Sequence, residues 1–101
     1  MKLQIHSIHF DADVKLLDFI QKKLDKLDTF FDRIHDGEVY LRLERSDNRR
    51  ENKVVEVKVN LPGTTLFASE QSETFEAATD EVLESLKQQI KKYKEKVQSK
   101  S

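Results

Sequence analysis

Apolar residues recur along this 101-residue chain with two periods, and the switches between them mark out its elements. Residues 2–10, KLQIHSIHF, alternate at Leu3 and Ile5 and resume at Ile8 and Phe10 after a one-residue change of phase. That pattern predicts a strand with a bulge or bend near Ser7. Asp11 or Asp13 then stands ready to cap a helix running to about Ile34. Leu17, Ile20, Leu24, Leu27, Phe31 and Ile34 advance by threes and fours, one buried stripe of an amphipathic helix. Asp36-Gly37 is expected to turn the chain into a half-buried strand, in which Val39, Leu41 and Leu43 alternate with Glu38, Tyr40, Arg42 and Glu44. Residues 46–53, SDNRRENK, form a polar hairpin loop bearing Arg49, Arg50 and Lys53, with Arg45 just before it. Val55, Val57, Val59 and Leu61 make the inward face of the next strand, and Pro62-Gly63 fits the central positions of a type II turn. The following segment, TTLFASEQ, turns Leu66 and Ala68 inward and Phe67 outward. Ser72 or Thr74 caps a last helix reaching Val97, buried along Phe75, Thr79, Val82, Leu86, Ile90, Tyr93 and Val97.

The element order is therefore βαβββα. Four strands and two helices of this length predict an α+β two-layer sandwich: a four-stranded mixed sheet with both helices on one face. The first two strands, joined through a helix, become parallel neighbours by a right-handed crossover, and the rest form antiparallel hairpins. No repeat, linker or low-complexity tract interrupts the chain, so one domain over residues 1–98 with a disordered tail at 99–101 is expected.

Charge changes this picture only through its placement. The formal net charge is −1, so composition alone does not suggest a nucleic-acid partner. Within the helices, however, the signs are sorted. At about 100° per residue, Asp18, Asp25, Asp28 and Asp32 fall on one flank of the first helix, and Lys15, Lys22, Lys26 and Arg33 on another, with Lys23 closing toward the core. In the last helix, six acids and no base occupy 70–85, whereas 86–101 carry six lysines and only Glu95 as acid. That gradient complements the helix dipole, worth about 0.3–1 kcal/mol per charge, and lysine clusters on helices are commonly plain solvated surface. The alternative is a surface that grips phosphate, because two adjacent helices edged with Lys and Arg can meet both sides of an RNA groove. Lysine supplies affinity without sequence, so the target would be shape-defined RNA.

Candidate chemistry is sparse. Without cysteine there is no disulfide, zinc thiolate or thiol nucleophile. Gly37 and Gly63, the only glycines, sit in expected turns, so no phosphate-binding loop exists. His6, His9 and His35 show no metal-ligand or nucleophile–base spacing, and neither a metal, a cofactor, a small-molecule substrate nor an enzymatic activity is expected. Outward Tyr40 and Phe67 read either as a base-stacking pair or as ordinary cross-strand packing. No apolar run reaches membrane-spanning length and no signal region opens the chain, so a soluble cytoplasmic protein is expected.

KKLDKLDTFFDRI (22–34), together with LFAS (66–69) and FEAATDEVLESLKQQIKKYKEK (75–96), resembles the ribosome hibernation factors. The resemblance is to the short hibernation-promoting factor and ribosome-associated inhibitor A group, and it spans almost the whole chain in order. It implies a βαβββα fold related to double-stranded-RNA-binding domains. It also implies a stress or stationary-phase protein that binds 16S rRNA of the 30S small ribosomal subunit, in the channel of mRNA and tRNA. Translation would be silenced there by steric occlusion, by a protein monomeric off the ribosome. The chain stops at Ser101, where long family members continue into a dimerisation domain, and such a domain is expected to be lacking.

Lys23 and Lys26 coincide with the family's first-helix lysines, and Lys92, Lys94 and Lys96 with its second-helix basic positions. With Lys22, Arg33, Lys87 and Lys91 they form the candidate RNA-binding set. Ser85 and Gln88 stand where the family commonly places Lys or Arg. By helical angle Ser85, Gln88, Lys92 and Lys96 share one flank, taken as the RNA-facing one, while Lys87, Lys91 and Lys94 lie on the other. Two further readings remain: a generic duplex-RNA binder, and a module docking a basic partner through Asp18, Asp25, Asp32, Glu76, Asp80 and Glu84.

Overall fold

The computed structural model describes residues 1–44 and 52–98, so Arg45, Arg49, Arg50 and the tail at 99–101 lie outside the described residues. The elements are β1 (Lys2–Ser7), α1 (Val14–Asp25), α2 (Leu27–Phe30), β2 (Asp36–Leu43), β3 (Lys53–Leu61), β4 (Thr64–Ser72) and α3 (Phe75–Gln98). The strands lie side by side in the order β1-β2-β3-β4, β1 parallel to β2 and the other pairs antiparallel. This is the expected mixed sheet, with α1–α2 and α3 packed on one face. Alternation does the sorting: Val39, Leu41, Val55, Val57, Val59, Leu61 and Ala68 point to the helices and are buried. They meet Ile20, Leu24 and Leu27 from α1–α2 and Ala78, Val82, Leu83, Leu86 and Ile90 from α3. The opposite face carries Glu38, Arg42, Glu56 and Lys58 together with Tyr40 and Phe67.

The first predicted helix departs from expectation at its end. It breaks at Lys26 into the one-turn α2, and Phe31 is already extended (φ −154°, ψ 117°). Thr29 contributes to the break, its hydroxyl and its backbone N–H both bonding the Lys26 carbonyl at 2.7 and 3.1 Å. The extended backbone lets the Phe31 ring pack edge-on against Tyr93 of α3, centroids 5.4 Å apart. The stripe named Ile20, Leu24 and Leu27 correctly, but Leu16 and Phe19 rather than Leu17 pack beside them, and Phe31 and Ile34 reach the core, partly buried, from non-helical chain. Asp32 and Arg33 consequently lie on no helical flank.

Other boundaries shift for local reasons. β1 stops at Ser7, and the change of phase comes from His9 in the left-handed region (φ 66°) rather than from a bulge. Beyond it Phe10 stacks on Phe75 at the start of α3, centroids 5.3 Å apart. Asp36-Gly37 is not a turn but the first two residues of β2. Gly37 is needed there for space: a Cβ would meet a Leu3 methyl carbon at 2.8 Å and the Lys58 carbonyl oxygen at 3.2 Å. Leu43 ends the strand half exposed rather than inward. Pro62-Gly63 does turn the chain, with Gly63 at the positive φ (74°) that a type II turn demands. Asp13, not Asp11, caps α1 through the Lys15 N–H at 3.1 Å. Thr74, not Ser72, caps α3 through the Ala77 N–H at 3.0 Å.

Candidate nucleic-acid interface

Two helices packed side by side leave a groove between their facing flanks, and the sequence decides what lines it. On α1, burial of Ile20, Leu24 and Leu27 puts Gln21, Asp25 and Asp28 on the flank toward β1. There the Met1 ammonium bonds Asp28 at 2.8 Å and Asp25 at 3.3 Å, and Gln21 donates to Asp25 and to the Met1 carbonyl. The hydrogen bond to Asp28, reinforced by Asp25, raises the ammonium pKa above its ordinary 8.0 against the lowering effect of desolvation. The acidic flank is therefore partly engaged within the molecule. On the opposite side Lys23 turns to α3, while Lys22 and Lys26 are exposed to solvent.

On α3 the buried line through Val82, Leu86 and Ile90 separates two flanks. Lys87, Lys91 and Lys94 face α1–α2, where Lys87 sits 5.2 Å from the Phe30 ring centroid and 3.5 Å from Glu84. Lys94 donates to the Phe30 carbonyl at 3.0 Å, satisfying an oxygen at the end of α2. Lys23 crosses the groove to Asp80 at 3.1 Å while resting 5.4 Å from the Phe19 centroid. Phe30, Glu84, Lys87, Gln88, Lys91, Lys94 and Glu95 enclose a cleft of about 570 Å³. Arg33, although not helical, lines a second cleft beyond Phe30 with Lys94, Phe31 and Tyr93.

The other flank of α3 meets the sheet edge. Gln89 donates to the Phe67 carbonyl at 2.8 Å and Tyr93 to the Pro62 carbonyl at 3.0 Å. Lys96 lies in a shallow cleft with Gly63, Thr64 and Val97, and Lys92 is exposed. The flank of α3 that faces α1–α2 is thus the one bearing Lys87, Lys91 and Lys94, whereas Lys92 and Lys96 stand on the other. Lys22, Lys26 and Lys91 are exposed and form no ion pair among the described residues, so their charge is available to a ligand. Phe30 was not singled out from sequence. Its signal was an aromatic ring lying off the buried stripe beside Phe31, which lies on it.

On the open sheet face Tyr40 and Phe67 do not pair, because β3 lies between their strands. Tyr40 stacks on His6, its partner in register, with centroids 5.0 Å apart, and its hydroxyl donates to Glu38, which raises its pKa. Arg42 pairs with Glu56 and Glu44, chiefly Glu56 raising its pKa. This face is cross-linked by its own side chains. No helix of the described residues is long and apolar enough to cross a membrane.

A four-stranded mixed sheet with its helices packed on one face defines the class: a small α+β two-layer domain, with Lys87, Lys91 and Lys94 beside Glu84 and Glu95 in the groove between the helices. The chain belongs to the family described as Sigma 54 modulation protein / S30EA ribosomal protein, whose model matches residues 3–98. The "Ribosome hibernation promoting factor" of Pseudomonas putida KT2440 is 30% identical over 99 residues, covering 98% of this chain and 92% of that protein. The factor of the same name from Klebsiella oxytoca is 27% identical, covering 96% of this chain and 97% of its own length. Among solved structures, a ribosomal subunit interface protein from Coxiella burnetii superposes with a TM-score of 0.81 at 26% identity, covering 93% of this chain and 98% of that one. The Thermus thermophilus Protein Y N-terminal domain shares the fold with a TM-score of 0.77 at 24% identity, covering 92% of this chain and 99% of that one.

Proposed function

We propose that this protein is a ribosome hibernation factor that binds 16S rRNA in the mRNA and tRNA channel of the 30S subunit and silences translation by occlusion. The observation that carries this reading is the groove itself. Lys87, Lys91 and Lys94 line it from α3, Lys23 reaches across it from α1 to Asp80, and Lys22 and Lys26 stand exposed on α1, with Arg33 in the adjoining cleft. Lysines spaced along two packed helices meet phosphates on both sides of an RNA groove and discriminate by shape, not by base. Lys92 and Lys96 form the periphery. The names borne by the relatives support the ribosome as the partner.

In this reading residues 1–98 act as one ribosome-binding unit, monomeric off the ribosome and working in the cytoplasm without catalysis. A body about 50 Å long in its greatest extent excludes other ligands from the space it fills. The acidic-docking alternative loses ground because, of its six acids, Asp25 holds the N-terminal ammonium and Asp80 and Glu84 pair with Lys23 and Lys87. Sucrose-gradient sedimentation of starved-cell extract tests the proposal: the protein should travel with small subunits and be released as salt rises. Protein remaining at the top of the gradient at low salt would refute it. Free duplex RNA as competitor separates the ribosomal from the generic RNA reading, since a ribosome-specific factor stays bound.

A further inference from the structure

Phe30 and Phe31 are neighbours with opposite fates. Phe31 is folded against Tyr93 at the edge of the core, whereas Phe30 is 44% exposed at the end of α2. Its ring lines the 570 Å³ cleft with Lys87, Lys91 and Lys94, and its backbone is fixed there by the Lys94 hydrogen bond to its carbonyl. A cavity of this size is ordinary for a small ligand. An aliphatic protein segment entering it would strip water from the Lys91 ammonium, which has no ion pair among the described residues, and return nothing for it. An unpaired nucleotide suits both halves, its base stacking on the ring while its phosphates meet the lysines. Gln88, Glu84 and Glu95 add an amide and two carboxylates able to hydrogen-bond a base edge.

The geometry points to Phe30 as a stacking platform for an unpaired RNA base held in this cleft, a contact of a different kind from the phosphate grip. The inference rests on the proposed ribosomal function and is tested within it. Purified 30S subunits serve as the probe, in filter binding across a salt series, with wild type, Phe30→Leu and Phe30→Tyr. Leucine keeps the apolar bulk and tyrosine keeps the ring, and thermal unfolding checks that both variants fold. Phe30→Leu should bind about 5- to 100-fold more weakly with an unchanged salt slope, since stacking releases no counterions. Phe30→Tyr should stay within about twofold of wild type, because it presents the same π-face. Wild-type affinity in Phe30→Leu would overturn the platform while leaving the ribosomal reading intact. A salt slope reduced by about one would also overturn it, showing that the ring acts only by placing Lys87. A wild-type protein that fails to bind 30S subunits at any salt would sink the functional reading and this inference with it.

Discussion

α3 carries lysines on two flanks, and the fold gives each flank a different neighbour. Lys87, Lys91 and Lys94 border a groove that holds Phe30 and that Lys23 of α1 spans to reach Asp80. Lys96 looks over the β3–β4 turn, and Lys92 on the same flank is exposed. The side chains are the same and sit on the same helix. What differs is whether a second basic element is near enough to bind the same polyanion. A charge pattern on one helix is therefore not yet a site, and packing decides which charges act together.

The largest effect should come from removing the groove's unpaired cations. Lys22, Lys26 and Lys91 make no ion pair among the described residues, so replacing all three with Gln should leave the fold undisturbed. Loss of three phosphate contacts should weaken binding to 30S subunits by about 100-fold at ordinary salt and lower the salt slope by about 2–3. Filter binding across a salt series measures both. Affinity equal to wild type would erase the distinction between the flanks.

Much of this fold was legible in the chain, because burial leaves a periodic trace. Ile20, Leu24 and Leu27 were named from their spacing and are fully buried, as are Val55, Val57 and Val59. The trace does not report the backbone that delivers a residue to the core, so Phe31 and Ile34 were placed on a helix that ends before them. Gly37 misled for a related reason. An Asp-Gly pair signals a turn locally, but here glycine serves the close approach of β1 to β2, which only the assembled sheet reveals. The groove was half legible. Sorted lysines on each helix were visible, but which flank of α3 faces α1 depends on how the helices lie on the sheet, and the flank first assigned to RNA lies toward the β4 edge rather than toward α1. Phe30 was the least visible, since its meaning comes from Lys87, far away in sequence.

A smaller effect, on stability alone, should separate the flanks from the other side. Tyr93 ties the sheet-side flank down by donating to the Pro62 carbonyl. Tyr93→Phe removes that bond and keeps the ring against Phe31, so it should cost up to about 1 kcal/mol in urea unfolding. Affinity for 30S subunits should be unchanged. A loss of binding as large as that of the triple lysine variant would mean that the turn side takes part in recognition.

The smallest effect is the most telling. If the groove is the interface, Lys92→Gln combined with Lys96→Gln removes two charges from the same helix, close in sequence to Lys91 and Lys94, yet touches only the periphery. Such charges contribute at long range, and at physiological salt their field is screened over about 8 Å. The double variant should therefore bind less than about 3-fold more weakly, with the loss vanishing as salt rises, because screening removes a distant charge before it removes a direct contact. The deciding quantity is the ratio of this loss to that of the groove variant, measured in one salt series. Equal losses per lysine on both flanks would describe a helix that binds by its total charge, and the groove would then be a feature of packing without a role in recognition.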